Sequence, residues 1–202
     1  MIKENSGNIF RFALDFEKGY AYAQIFDLSD VLGFSGKLIQ VFNLIDNNSG
    51  TTVDIQNIKS KGIMFGPVPV NKFPNTRGKD SWIFIGKTET LQFDPPIFKD
   101  YRGILNKNDW SELKPWYKED RFENKFESEV FDYEDVRHLE TIILNHLKAV
   151  CSKCTMMKII SEGESVKNYY DLNEIGMRNT YLQVVNTYYS RDVALKLLRI
   201  IG

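Results

Sequence analysis

Apolar and polar residues alternate at the start of the chain with a period of two, which predicts β-strands. Two such segments, residues 9–16 and 20–26, flank the turn residues 17–19, so the pattern predicts a β-hairpin. Gly19 can supply the positive φ that this turn needs. The large apolar side chains of the first strand share one face; they are Phe10, Phe12, Leu14 and Phe16. This hairpin therefore has one face suited to a hydrophobic core.

Further short apolar runs between turn residues predict additional strands. They cover residues 37–45, 62–70 and 81–87, with an extended segment over 91–98. Pro67 and Pro69 cannot donate to a sheet ladder, which places their strand at an edge or a bulge. Residues 51–58 fit a strand, through alternating Val53 and Ile55, and equally fit a short helix capped by Thr52. Five or more short strands are typical of a small barrel or a strongly twisted sheet.

The second half of the chain has helical periodicity. Asp132 is a candidate N-cap for a helix from about Glu134 to Val150. Its apolar stripe consists of Val136, Leu139, Ile143, Leu147 and Val150. A further helical region begins near Leu172 and breaks at Ser190, which can cap a last helix. We therefore predict an α+β fold: a β-rich domain over 1–100, a connector over 101–117 and a helical region over 118–202.

Composition and charge restrict the class of partner. The 26 basic and 27 acidic residues give a net charge of -1, which lacks the basic excess of a dedicated nucleic-acid binder. The N-terminus has no signal-peptide pattern, and no run of about 18 apolar residues predicts a membrane span. Two cysteines are too few for a secreted disulfide framework. We expect a soluble cytoplasmic protein with no membrane partner.

The residue types that usually carry metal or redox chemistry are sparse. Cys151 and Cys154 form a single CxxC motif at the end of the predicted helix, whereas a redox pair favours a helix N-terminus. A structural zinc site needs four ligands. His138 and His146 are eight residues apart, which places them about 80° apart around a helix. We therefore predict no cofactor, no metal and no catalytic residue, and an enzyme is not the expectation.

An acidic stretch over residues 118–135 carries eight acidic residues against three basic ones. Such a surface can steer a basic partner, although acids also collect at helix starts and on solvated faces. The candidate partner-binding residues are Glu119, Asp120, Glu123, Glu127 and Glu129, with Trp110, Trp116 and Tyr117 as aromatic anchors. Aromatic side chains of this kind equally form cores.

Several motifs of the first half occur in the order and spacing of a known family. They are residues 7–12 (GNIFRF), 19–25 (GYAYAQI), 63–70 (IMFGPVPV), 82–87 (WIFIGK) and 95–98 (PPIF). In these segments the chain resembles the immunity protein 26 family of bacterial polymorphic-toxin systems. The resemblance spans about residues 7–100. It implies a mostly β fold and a role in neutralising a cognate toxin, and some members of that family carry a phosphotriesterase label.

Three functions follow as hypotheses. The leading one is an immunity protein that binds a cognate toxin and masks its surface, a mechanism that needs no catalytic residue. A phosphoester hydrolase is the first alternative, and the spacing of the two histidines opposes it. A small nucleic-acid-binding β-module is the second alternative, for which Lys72, Arg77 and Lys79 are the candidate contacts. The balanced net charge makes nucleic acid the weaker expectation.

Overall fold

The fold is α+β, as the sequence predicts. A computed structural model describes residues 6–28, 36–47, 53–78, 81–88, 96–120, 125–126 and 129–201. The chain divides into two units. The first contains Met1–Pro96, Phe122–Asn124 and Ile143–Cys151, and the second contains Ile97–Arg121, Lys125–Ile142 and Ser152–Gly202.

An antiparallel sheet of five strands forms the first unit. The strands are β1 (Asn8–Ala13), β2 (Tyr20–Asp27), β3 (Lys37–Asp46), β4 (Ile63–Val70) and β5 (Ile83–Lys87). Their order is β4-β3-β2-β1-β5, so β1 and β2 form the predicted hairpin. The proline-containing strand β4 lies at an edge, as the missing N–H groups of Pro67 and Pro69 predict.

The turn of the first hairpin departs from the predicted pattern at one residue. Phe10, Phe12 and Leu14 are buried as predicted, but Phe16 is 50% exposed. The strand ends at Ala13, and Phe16 adopts a φ of 56° in a 3-10 turn, so it no longer follows the alternation. Gly19 has a φ of +108°, and a Cβ there would lie 2.6 Å from the carbonyl oxygen of Asp46. Only glycine fits this turn without strain.

The ambiguous segment before β4 forms a short helix, α1 (Ile55–Ser60). Its N-cap residue is Asp54, while Thr52 lies outside the described residues. The Ile58 side chain is completely buried in a cluster with Ile9, Tyr22 and Phe42 of the sheet. Burial of this apolar contact stabilises a helix that is too short to be stable by itself.

The second unit combines a small sheet with helices. The strands are β6 (Phe98–Asp100), β7 (Tyr117–Asp120) and β8 (Lys125–Phe126), in the order β6-β7-β8. The helices are α2 (Tyr133–Val136), α3 (Leu147–Ser161), α4 (Ile175–Tyr188) and α5 (Arg191–Leu198). Residues 118–202 are therefore not purely helical. The first five residues of α3 belong to the first unit.

The predicted connector over 101–117 is part of a packed core. Trp110 and Trp116 are 2% and 1% exposed, and their ring centroids are 5.9 Å apart. Trp116 also lies 4.9 Å from the Tyr133 ring. Aromatic side chains of this size bury a large apolar area, so this segment contributes to the core of the second unit.

The predicted helix from Glu134 to Val150 is wrong. Helix α2 ends at Val136, and α3 begins only at Leu147. Between these helices the backbone forms hydrogen bonds with strands. In the second unit the Lys99 N–H donates to the Glu140 carbonyl over 2.8 Å, and in the first unit the Asn145 N–H donates to the Pro69 carbonyl over 2.8 Å. Periodicity alone does not reveal these distant partners.

Helices α4 and α5 form where predicted, and Ser190 occupies the N-cap position of α5.

Candidate functional site

Most of the predicted partner-binding residues of the second unit do not offer an open surface. Trp110 and Trp116 belong to the core described above. The Tyr117 ring is half-buried beneath the Arg102 guanidinium, whose carbon lies 3.9 Å from the ring centroid. Glu119 is only 4% exposed. These four residues therefore contribute to the packing of the unit.

Part of the predicted acidic surface remains at the exterior. Asp120 is half-buried and Glu129 is exposed, whereas Glu123 and Glu127 lie outside the described residues. Two neighbouring acids are neutralised by ion pairs: Asp132 with Lys114 at 2.5 Å, and Glu134 with Arg137 at 2.7 Å. The Arg137 hydrogen bond lowers the pKa of Glu134. These pairs reduce the local negative charge available to a partner.

Both cysteines lie inside α3 and not after the last turn of a helix. Cys151 and Cys154 are buried free thiols. Burial raises the pKa of Cys151 to about 12, so its thiol is neutral near pH 7 and is a poor nucleophile. In the described part of the chain, no group of three or more His, Cys, Asp or Glu side chains is placed to hold a metal ion.

A buried polar cluster in the second unit contains two lysines that the sequence does not single out. The Lys99 ammonium nitrogen donates to the Arg137 carbonyl over 2.7 Å and to the Thr187 hydroxyl over 3.1 Å. Burial lowers the pKa of Lys99 to about 7 and also lowers that of Lys153. Glu140 accepts a hydrogen bond from the Tyr188 hydroxyl over 2.8 Å. Its negative charge raises the pKa values of both lysines and so opposes the effect of burial. The contacts made by Lys99 connect segments far apart in sequence, which indicates a structural role.

A second buried polar group lies on the sheet of the first unit. Arg11 and Tyr22 are directly paired across β1 and β2. The Arg11 guanidinium donates to a carboxylate oxygen of Asp46 over 2.9 Å, and the Tyr22 hydroxyl donates to the other oxygen. Burial raises the pKa of Tyr22, and the hydrogen bond to Asp46 raises it further. Asp46 thus accepts hydrogen bonds from two buried polar side chains of neighbouring strands.

The two edges of this sheet differ in how well they are protected. At β4, Pro67 and Pro69 remove two donors, and the Asn145 N–H bonds to the Pro69 carbonyl. Strand β5 contains no proline, and in the described part of the chain it pairs only with β1. Ile83 and Phe84, on opposite faces of β5, are each 53% exposed. This edge therefore exposes apolar side chains on both of its faces.

An apolar groove of about 310 Å³ adjoins the β5 edge. Phe84 forms one side, and its ring lies edge-to-face on Phe10 with centroids 5.7 Å apart. The other lining residues are Asn8, Ile25, Phe73, Pro74 and Thr76. We call the β5 edge and this groove the β5 surface. Its size suits one or two apolar side chains of a partner segment.

Comparison with protein families, with curated proteins and with solved structures finds no match to this chain. No helix in the described residues combines the length and apolarity needed to cross a membrane.

Proposed function

We propose that this protein is a non-catalytic immunity-type protein that binds a cognate bacterial toxin and masks its surface. The observation that carries the proposal is the β5 surface, in which an apolar edge strand lies beside a groove. The family resemblance of residues 7–100, which include β5, supplies the expectation that the partner is a toxin.

The chemistry of the β5 surface favours an extended segment of the partner as its occupant. A strand added to a free edge gains main-chain hydrogen bonds, while pockets for alternate side chains give specificity. Ile83 and Phe84 present apolar area on both faces of the edge, and the groove beside Phe84 can receive an apolar side chain. Natural proteins usually protect such edges, so an apolar edge without proline fits a strand that is covered in a complex.

Charge is expected to have a smaller role. Glu129 is exposed in the second unit, and Asp120 is partly exposed. Charges at the rim of an interface mainly change the association rate, whereas buried apolar anchors determine most of the affinity. We therefore place the anchors on β5 and assign the acidic residues a steering role toward a basic toxin.

The test is co-expression with the product of the neighbouring gene, followed by co-purification and titration calorimetry. Ile83→Lys and Phe84→Lys should weaken binding by more than tenfold, because each removes an apolar contact and introduces a charge. Ile104→Lys is the matched control: Ile104 is 80% exposed in the second unit, so this variant should bind like the wild type.

Two results would contradict the proposal. A neighbouring gene without a toxin-like domain, combined with no complex, would remove the immunity function. A complex that tolerates both β5 substitutions as well as the control would show that the β5 surface is not the interface.

A further inference from the structure

A second cavity in the first unit has lining residues different from those of the β5 surface. It has a volume of about 800 Å³, within the range of small-molecule sites. Its buried lining is mainly apolar and consists of Phe12, Leu14, Trp82, Leu147 and Cys151. The Trp82 ring is stacked on Phe12, with centroids 4.3 Å apart. A preformed aromatic and aliphatic floor of this kind suits the apolar body of a ligand.

The exposed residues around this floor carry an excess of positive charge. Lys72, Arg77 and Lys148 line the cavity, and Asp15 is the single carboxylate among its described lining residues. Asp15 forms an ion pair with Lys148. Lys72 and Arg77 have no ion-pair partner in the described residues. Two cationic side chains are therefore left to bind an anion.

Polar groups beside these cations add hydrogen-bond donors. Asn71 donates its amide N–H to His146 Nδ1 over 2.8 Å, which leaves the ring proton on Nε2, so His146 can donate to a ligand. Helix α3 also begins at the cavity, where the His146 carbonyl accepts from the Val150 N–H. The positive end of its dipole adds to the field of the side chains.

We propose that this cavity binds a small molecule that carries a phosphate group on a larger, partly apolar body. Arg77 and Lys72 would bind the phosphate, since a guanidinium matches phosphate oxygens in a bidentate geometry. The apolar floor would contact the remainder of the molecule. A free phosphate ion would fill only a small part of about 800 Å³. This inference does not depend on toxin binding, because the β5 surface has other lining residues.

The test is titration calorimetry of the full chain at low salt with adenosine monophosphate, inorganic phosphate and adenosine. Adenosine monophosphate should bind, phosphate should compete with it, and adenosine should bind far more weakly. Arg77→Gln and Lys72→Gln should each weaken binding by roughly tenfold, as expected for a charge-assisted hydrogen bond. Lys61→Gln, an exposed lysine of the same unit outside the cavity, should have no effect.

Asp15→Asn provides a test in the opposite direction. It removes the one described carboxylate of the cavity and releases Lys148 from its ion pair, so phosphate binding should tighten severalfold. An unfolded or damaged protein cannot give tighter binding, which keeps this result independent of stability.

Three outcomes would overturn the proposal. One is no binding of either phosphate compound at millimolar concentration. Another is equal loss in Lys61→Gln and Arg77→Gln, which would indicate a nonspecific charge effect. The third is binding of single-stranded oligonucleotides that strengthens steadily with length, which would assign the same cations to a nucleic-acid groove.

Discussion

Replacing Lys99 by methionine is expected to reduce the dependence of stability on pH. Lys99 is completely buried, and its ammonium nitrogen lies within 3.4 Å of the Arg137 carbonyl and the hydroxyls of Thr187 and Tyr133. Burial lowers its pKa from the ordinary value of 10.5 to about 7. Methionine has a similar length and no charge, so it removes the titration while filling much of the same space.

The direction of the effect follows from proton binding in the two states. The unfolded chain keeps the Lys99 proton up to about pH 10.5, whereas the folded chain loses it above about pH 7. Between these values the unfolded state binds more protons, so the free energy of unfolding rises with pH. One lysine contributes a slope of about 1.4 kcal/mol per pH unit within that interval. The free energy of unfolding therefore decreases by this amount for each unit that the pH falls toward 7.

Two other groups set the interval in which the slope can be measured. The pKa of Lys153 is also lowered by burial, so it adds a slope of the same sign and the substitution should remove only part of the total. The pKa of Cys151 is raised by burial to about 12. A thiol ionises near pH 8.5 in the unfolded chain, so this group begins to destabilise the fold above that pH. The useful interval is therefore about pH 7 to 8.5.

The assay is urea unfolding followed by tryptophan fluorescence at several pH values and constant ionic strength. The wild type should gain stability between pH 7 and 8.5, and Lys99→Met should gain about 1 to 2 kcal/mol less over that interval. Lys167→Met, at an exposed position of the same unit, should keep the wild-type slope. Equal slopes in the wild type and Lys99→Met would refute the reasoning, because they would mean that Lys99 keeps its proton in the folded state.

Substitutions at two further positions test the packing of the two units. Trp116→Ala should lower the free energy of unfolding by about 3 to 5 kcal/mol, because it empties a buried site beside Tyr133. A loss below about 1 kcal/mol, measured by urea unfolding, would contradict this packing. Asp46→Ala should lower the free energy of unfolding by about 3 to 5 kcal/mol, since it removes the carboxylate to which the buried Arg11 and Tyr22 side chains donate. Asp46→Asn should lower it less, because one amide oxygen still accepts, and equal thermal stability of both variants would refute that account.

Local pattern predicts the elements whose partners are near in sequence. The hairpin of β1 and β2, the turn glycine Gly19 and the edge position of β4 follow from period-two alternation and from the chemistry of glycine and proline. Helix α5 follows from apolar residues at helical spacing after its N-cap residue, Ser190. Each of these features depends on a few consecutive residues, which is why a single sequence is sufficient.

Long-range contacts explain both the wrong helix prediction and the burial of two tryptophans. Residues 137–146 have the apolar spacing of a helix, but their backbone groups bond to Lys99 and Pro69, which are distant in sequence. Trp110 and Trp116 have the composition of interface anchors, yet the fold buries both against Tyr133. Sequence gives the chemical character of such residues and not their burial, because burial depends on partners elsewhere in the chain.

The same limit applies to the candidate phosphate site. Lys72 and Arg77 are recognisable in the sequence as a basic loop, and the nucleic-acid alternative uses them as its predicted contacts. Lys148 lies on α3 and pairs with Asp15, 133 residues earlier in the chain. Trp82, just before β5, and Cys151, on α3, complete the buried floor. A cavity assembled from separate segments has no compact motif, so only the fold reveals it.

The loop between β4 and β5 links the two proposals and decides which variants can separate them. Phe73, Pro74 and Thr76 line the groove of the β5 surface, whereas Asn75, Arg77 and Gly78 line the cavity. A substitution in this loop can therefore alter both sites by changing one backbone. Phe84 and Asp15 lie outside the loop and line only one site each. Phe84→Lys should lose toxin binding and keep phosphate binding, whereas Asp15→Asn should bind phosphate more tightly and keep toxin binding. These two results together would assign the two functions to separate surfaces of one unit.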